Sequence, residues 1–184
     1  MPLYALGDVA PSIHPDAFVH PDAVVIGSVT IGAWSSVWPC AVLRGDYGTI
    51  LVGDETSIQD GAVLHAVPMF PTVVGSRCVV GHLAHLEGCT LEDETLAGSG
   101  SIILHRAVVG TGATVGANAV VPNGRTVPPG ALAIGVPVEV RPGRSDVELI
   151  RVSAAQYVAN AQRFRTELRR LDGASGTGID ARGT

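Results

Sequence analysis

The chain is poor in aromatic residues, paired cysteines, basic clusters and long apolar runs, and each shortage removes a class of protein. Aromatic residues are 4% of the 184 positions although 46% are hydrophobic. Any core must therefore be built from Val, Ile, Leu and Ala. The three cysteines, Cys40, Cys78 and Cys89, form no Cys-x-x-Cys pair and are odd in number. That argues against a disulfide framework and for a reducing, cytoplasmic setting. The N-terminus, Met-Pro-Leu-Tyr-Ala-Leu-Gly-Asp, lacks the basic start and apolar run of a signal peptide. No uninterrupted apolar stretch approaches the ~20 residues needed to span a bilayer, so a soluble protein with no membrane partner is expected. The net charge is −5 and no block of basic residues precedes the C-terminal segment. Nucleic acid is therefore not an expected partner.

What the chain does have is a period of six. Aliphatic residues recur at Ile13, Val19, Val25, Ile31, Val37 and Leu43, then at Val52, Ile58 and Leu64, then at Val74, Val80 and Leu86. The series resumes at Leu91 and runs through Ala97, Ile103, Val109, Val115, Val121 and Val127 to Ala133. A helix repeats its apolar face near 3.6 residues and a lone strand near 2, so neither accounts for it. One short strand plus one corner per unit does, as in a hexapeptide solenoid. No unit can bury its aliphatic residue alone, whereas stacked coils bury a continuous column. The 23 glycines and 12 prolines, spread through the repeat, mark corners.

The expected organisation is a lead-in and solenoid over residues 1–138 and a segment over 139–172 carrying a helix packed on the solenoid. A disordered tail is expected over 173–184. Ser145 followed by Glu148 predicts a capping box at the start of that helix. Tyr157, Ala161, Phe164, Leu168 and Leu171 form its apolar stripe. Two slips break the period, between Leu43 and Val52 and between Leu64 and Val74. They predict loops at Tyr47-Gly48-Thr49 and at about residues 66–72, where function tends to sit.

The segments Leu43-Arg44-Gly45-Asp46, Ile58-Gln59-Asp60-Gly61-Ala62-Val63-Leu64-His65 and Val80-Gly81-His82, followed by Leu86, Gly88 and Cys89, resemble the gamma-class carbonic anhydrases of the hexapeptide-repeat superfamily. The resemblance covers about residues 10–172. It implies an all-β solenoid, a left-handed parallel β-helix with a C-terminal α-helix, assembled as a homotrimer. The left hand is an exception to the crossover rule that no period could reveal. The resemblance also implies a metal, zinc or alternatively Fe(II), between subunits, with CO2 or bicarbonate as the small-molecule partner. His65 and residue 87 would come from one subunit and His82 from its neighbour. Gln59, Arg44 and Tyr157 would be catalytic, and Arg44, Asp46 and Asp60 would form interface ion pairs.

The register examines this independently. With three hexads per coil, Arg44, His65 and Glu87 each follow a core residue and stack in one outward column, ~4.8 Å apart per coil. His82 lies at a corner above Asp60, so a metal using both column and corner needs a second subunit. Two departures qualify the resemblance. Glu87 stands where a third histidine is expected, with His85 nearby. Two histidines and a carboxylate are still a legitimate Zn or Fe(II) set. Glu87 is alternatively a salt-bridge partner of Arg44 or a subunit contact. A carboxylate ligand makes coordinated water less acidic, which works against CO2 hydration. Tyr47 and the loop Val67-Pro-Met-Phe-Pro71 replace the relay glutamates of efficient members, and an exposed Met69-Phe70 pair would offer an apolar rim to an organic ligand.

Three functions follow. The first is a gamma carbonic anhydrase-like lyase with weak or absent hydration. The second is a hexapeptide-repeat acyltransferase. The third is a non-catalytic binding or assembly protein, such as a siderophore-binding homologue.

Overall fold

The computed structural model describes residues 3–171, and the tail expected over 173–184 lies outside the described residues. The chain winds as a left-handed parallel β-helix of three faces, with a single helix at the C-terminal end. Each residue of the six-residue series faces inward and pairs with its equivalent one coil away. On the first face Leu43 pairs with Leu64, Leu64 with Leu86, Leu86 with Ile103 and Ile103 with Val121. On the third, Val37 pairs with Ile58, Ile58 with Val80, Val80 with Ala97 and Ala97 with Val115. These columns meet in one core whose members are almost wholly shielded. Burying each such side chain is worth roughly 1.5–3 kcal/mol, so the stack rather than any strand holds the fold.

Corners recur at the same period. The second corner residue has positive φ at Trp34, Cys40, Gly61, Arg77, Leu83, Glu94, Gly100 and onward. Only some of these are glycine, so composition understates the number of corners. A left-handed residue other than glycine costs ~1–2 kcal/mol, offset here by the ladder on either side.

The two insertions are accommodated differently. Residues Val42–Val52 form one extended strand, whose register with Val24–Ile31 shifts between Gly27 and Val29 so that residues 46–49 bulge opposite the single residue Ser28. The loop expected at residues 47–49 is therefore an extended corner. Residues 67–70 do leave the coil, as a tight turn closed by two backbone hydrogen bonds between Val67 and Phe70. Gly48 lies against the Val67 carbonyl so closely that a Cβ would collide with it.

After the last coil, Glu139–Arg141 turns back to pair antiparallel with Leu132–Ile134. The helix spans Val147–Glu167. Its cap is Asp146, whose carboxylate accepts from the Leu149 amide, and not Ser145 as expected. Ser145 is instead hydrogen-bonded to Thr114 on the solenoid. The buried stripe is Ile150, Ala154 and Ala161, with Tyr157 and Phe164 packed beside it. Leu168 and Leu171 lie beyond the helix and are exposed.

Glu94 clamps the helix to the solenoid by accepting from Arg77 at 3.1 Å and Arg151 at 2.8 Å. No helix among the described residues is long and apolar enough to cross a membrane.

Candidate functional site

Arg44, His65 and Glu87 are register partners on three successive coils of the first face. Each follows a buried leucine, so alternation turns all three outward. Their side chains form a continuous polar string. Arg44 donates to Asp46 Oδ2, His65 Nε2 faces Asp46 Oδ1 at 3.1 Å, and His65 Nδ1 faces Glu87 Oε1 at 3.0 Å. The hydrogen bond with His65, against burial and aided by His85, holds the Glu87 carboxyl below the usual carboxylate range. Burial alone would raise the Asp46 carboxyl, but hydrogen bonds from Arg44, a backbone amide and His65 together lower it. The string is half-buried, with His65 15% and Glu87 24% exposed.

Gln59, Asp60, His82 and Tyr157 gather elsewhere. Asp60 and His82 occupy equivalent corners after Ile58 and Val80 on the third face, and His82 Nδ1 stands 3.0 Å from Asp60 Oδ2. Gln59 is buried, and the helix brings the Tyr157 hydroxyl to it. Burial, and then the Asp60 carboxylate, push the Tyr157 phenol up against the opposing hydrogen bond with Gln59.

An aromatic lock sets this arrangement. The Trp38 indole N–H is 3.0 Å from both Ser36 Oγ and Ser57 Oγ. Its ring packs edge-on against Tyr157 and Phe164, at centroid distances of 5.6 and 5.0 Å. His82 and Asp60 are about half exposed.

The eight residues singled out from sequence thus fall into two clusters on different faces of one chain. Among the described residues of that chain, no group of three His, Cys, Asp or Glu side chains is placed to hold a metal ion. Arg44 meets Asp46 and not Glu87, and Asp60 meets His82 and not Arg44.

Two histidines outside the expected ligand set join the string. His85 Nε2 lies 3.4 Å from Glu87 Oε2, and His105 Nε2 lies 3.6 Å from Glu87 Oε1. Phe70, expected to be exposed, is half-buried against the His105 ring at 5.8 Å, leaving only Met69 of that pair fully exposed. The signal for His85 was present, since alternation turns it outward beside Glu87. His105 follows outward Leu104, and only the packing of the 67–70 turn brings it in. Cys89 is buried, and its thiol is pushed up to about 12 by that burial, so it is a packing residue.

On this first face a second outward column, Val24, Val42, Val63, His85, Ile102 and Val120, is apolar but for His85. Val63 and Ile102 are each 37% exposed.

Residues 10–45 match the family described as bacterial transferase hexapeptide (six repeats). The chain is 37% identical over 170 residues to the carnitine operon protein CaiE of Salmonella agona, covering 91% of this chain and 86% of that one. The corresponding Escherichia coli K12 protein is 44% identical over 110 residues, and the match spans 56% of its length. A mitochondrial gamma carbonic anhydrase 1 of Arabidopsis thaliana is 45% identical over 108 residues, 55% of this chain and 39% of the plant protein. Among solved structures, a Bacillus cereus protein described provisionally as an acetyltransferase superposes with a TM-score of 0.86 at 33% identity. That superposition covers 89% of this chain and 96% of the other. The repeat, the register and these relatives agree: the chain belongs to the hexapeptide-repeat family, alongside the gamma carbonic anhydrases and the carnitine operon protein CaiE.

Proposed function

We propose that the protein is a homotrimer that closes a divalent-metal site between subunits and is a gamma carbonic anhydrase-like lyase with weak or absent CO2 hydration. The observation that carries this reading is the separation of the site residues into two clusters on different faces of one chain. Neither cluster is a complete metal or catalytic set, and a rotational oligomer would bring the first face of one subunit to the corner of the next. Exposed Val63 and Ile102, with half-buried Val24, Val42 and Val120, would give that contact an apolar surface.

The donor set suits zinc, with Fe(II) as the alternative. With an ion bound, Asp46 would accept from His65 Nε2–H and leave Nδ1 to ligate beside Glu87; without it, the same Nδ1 stands within hydrogen-bond distance of Glu87 Oε1. Two ligand atoms ~2.1 Å from a tetrahedral ion stand about 3.4 Å apart, and the His65–Glu87 contact of 3.0 Å is close to that. His65 and Glu87 would hold the ion from one subunit and His82 from the neighbour. When bound, such an ion acidifies water and polarises a carbonyl oxygen.

The chain's own residues supply the rest. Gln59 would hydrogen-bond the reacting oxygen, with Tyr157 holding its side chain. Arg44 offers a cation to bicarbonate. Asp60 orients His82. Glu87 brings negative charge where an imidazole would be neutral, and Tyr47 stands where a relay acid is needed. Both depress hydration.

Metal analysis, sedimentation and stopped-flow hydration test this reading. A trimer with about one zinc or iron per chain, native hydration near the uncatalysed rate, and faster hydration in Glu87→His are the expected results. A metal-free monomer, or robust native hydration, contradicts it.

A further inference from the structure

The turn at residues 67–70 returns to the coil through Thr72, the fully buried first residue of the strand Thr72–Val74. A buried hydroxyl is costly unless it is hydrogen-bonded, and this one makes two bonds. Thr72 Oγ1 donates to the His65 carbonyl and accepts from the Gly88 amide at 2.8 Å. Gly88 directly follows Glu87. One side chain therefore ties together the peptide groups that leave His65 and Glu87.

The irregular repeat explains why a side chain is needed there. At regular corners an amide donates straight to a carbonyl one coil away, from Leu83 to Asp60 at 2.9 Å and from Gly100 to His82 at 2.8 Å. The spacing of five between Leu86 and Leu91 shortens the corner after Glu87, whereas the spacing of ten between Leu64 and Val74 lengthens the coil before it. The direct link from the Gly88 amide to the His65 carbonyl is stretched to 3.4 Å, too long for a strong hydrogen bond. Thr72 Oγ1 fills that gap. Gly88 is wedged in place, with a left-handed φ of 59° and with Phe70 Cβ and His105 Cδ2 at 2.8 and 2.7 Å from where a Cβ would stand.

A second hydroxyl bridges coils in the same way at another corner. Thr56 Oγ1 donates to the Gly75 carbonyl at 2.7 Å and accepts from the Cys78 amide at 3.0 Å. Thr56 is as buried as Thr72, but it ties no site residue. The bridge is a device of the solenoid, and at Thr72 it joins the two coils that carry His65 and Glu87.

We propose that Thr72 is a positioning residue of the intersubunit site. Its hydroxyl fixes both backbones so that His65 Nδ1 and Glu87 Oε1 stand 3.0 Å apart before any ion arrives. Donors held in place by such support lose less freedom on binding. This role rests on the reading that His65 and Glu87 hold the metal.

Zinc affinity, measured by competition with a chromogenic chelator, and crystal structures of the metal-free variants test it together. Thr72→Val keeps the side-chain shape and removes both bonds, whereas Thr72→Ser keeps them. Thr72→Val is expected to weaken zinc about 10–100-fold and to separate His65 from Glu87, and Thr72→Ser to restore both. Thr56→Val should lower the urea midpoint as Thr72→Val does, yet leave zinc affinity unchanged. Should Thr72→Val fail to fold, Thr72→Ala removes the same bonds without adding bulk. Parental zinc affinity with an intact His65–Glu87 contact in the hydroxyl-free variant overturns the proposal. So does an equal loss of zinc in Thr56→Val, or no recovery in Thr72→Ser. A parent protein that binds no zinc overturns the proposed function instead, and the crystallographic contact then decides the role of Thr72.

Discussion

The two clusters of site residues are built in opposite ways. The Arg44–Asp46–His65–Glu87 string belongs wholly to the solenoid and is assembled by register, each member one coil from the next. The Gln59–Asp60–His82–Tyr157 group needs the helix, which reaches it from far along the chain through the Trp38 lock. The first is closed on itself, with both nitrogens of its central imidazole facing carboxylates. The second is half open to solvent at His82 and Asp60. A repeat scaffold can thus hold fixed chemistry on a face at no structural cost beyond changing outward residues, whereas a corner needs an appended element to orient what it carries.

The sharpest break between the two is expected from Trp38→Ala. Trp38 is 5% exposed, and losing a buried aromatic of this size costs about 3–5 kcal/mol. Urea unfolding should show that loss as a lower midpoint for release of the helix. The His65–Glu87 contact, which shares no residue with the lock, should survive in the variant's crystal structure. Loss of both clusters together would show that they are not independent.

A smaller effect is expected from Asp46→Ala. Removing the carboxylate that orients His65 should weaken metal binding about 10–100-fold, read by competition with a chromogenic chelator. The same assay on Tyr157→Phe should move little, because Tyr157 acts on Gln59 and not on a ligand. Equal losses in the two variants would contradict the division of roles.

The smallest effect concerns the clamp that carries the helix. Hydrogen bonds from Arg151, and then from Arg77, lower the Glu94 carboxyl beneath its ordinary value of 4.5. A depressed folded pKa contributes stability above the unfolded value and loses it as pH falls through the folded one. Stability measured by urea should therefore fall as the solution is acidified below about 4.5, and Glu94→Gln should flatten part of that dependence. The neutral-pH cost of the substitution should stay within about 1 kcal/mol, as for other partly exposed ion pairs. An unchanged acid profile in Glu94→Gln would remove Glu94 from the account of helix docking.

Much of this was legible in the sequence, for a physical reason. A solenoid converts spacing directly into position, so the distances from Leu43 to Leu64 and from Leu64 to Leu86 already stack Arg44, His65 and Glu87. Contacts that depend on side-chain reach were not legible. Spacing does not say that His65 bridges Asp46 and Glu87, or that Phe70 folds back onto His105. Nor does it distinguish Asp46, two residues along the strand, from Glu87, in the same outward column, as the partner of Arg44. The cap was misread because Ser145 and Asp146 are both good capping residues, and the choice was made by Thr114, a solenoid residue that takes the serine hydroxyl. The first insertion looked like a loop because counting cannot see that the extra residues stay extended, as a bulge opposite Ser28.

The central claim is that the two clusters complete each other between subunits and not within one. Mixing His65→Ala and His82→Ala subunits tests it most directly. Each variant alone is predicted to bind no stoichiometric metal. Unfolding and refolding an equal mixture pairs an intact first face with an intact corner at about one interface in four, if subunits assort at random around a closed ring. The account predicts that about a quarter of the native metal content returns in the mixture. Metal retained in either single variant, or none recovered on mixing, would contradict it.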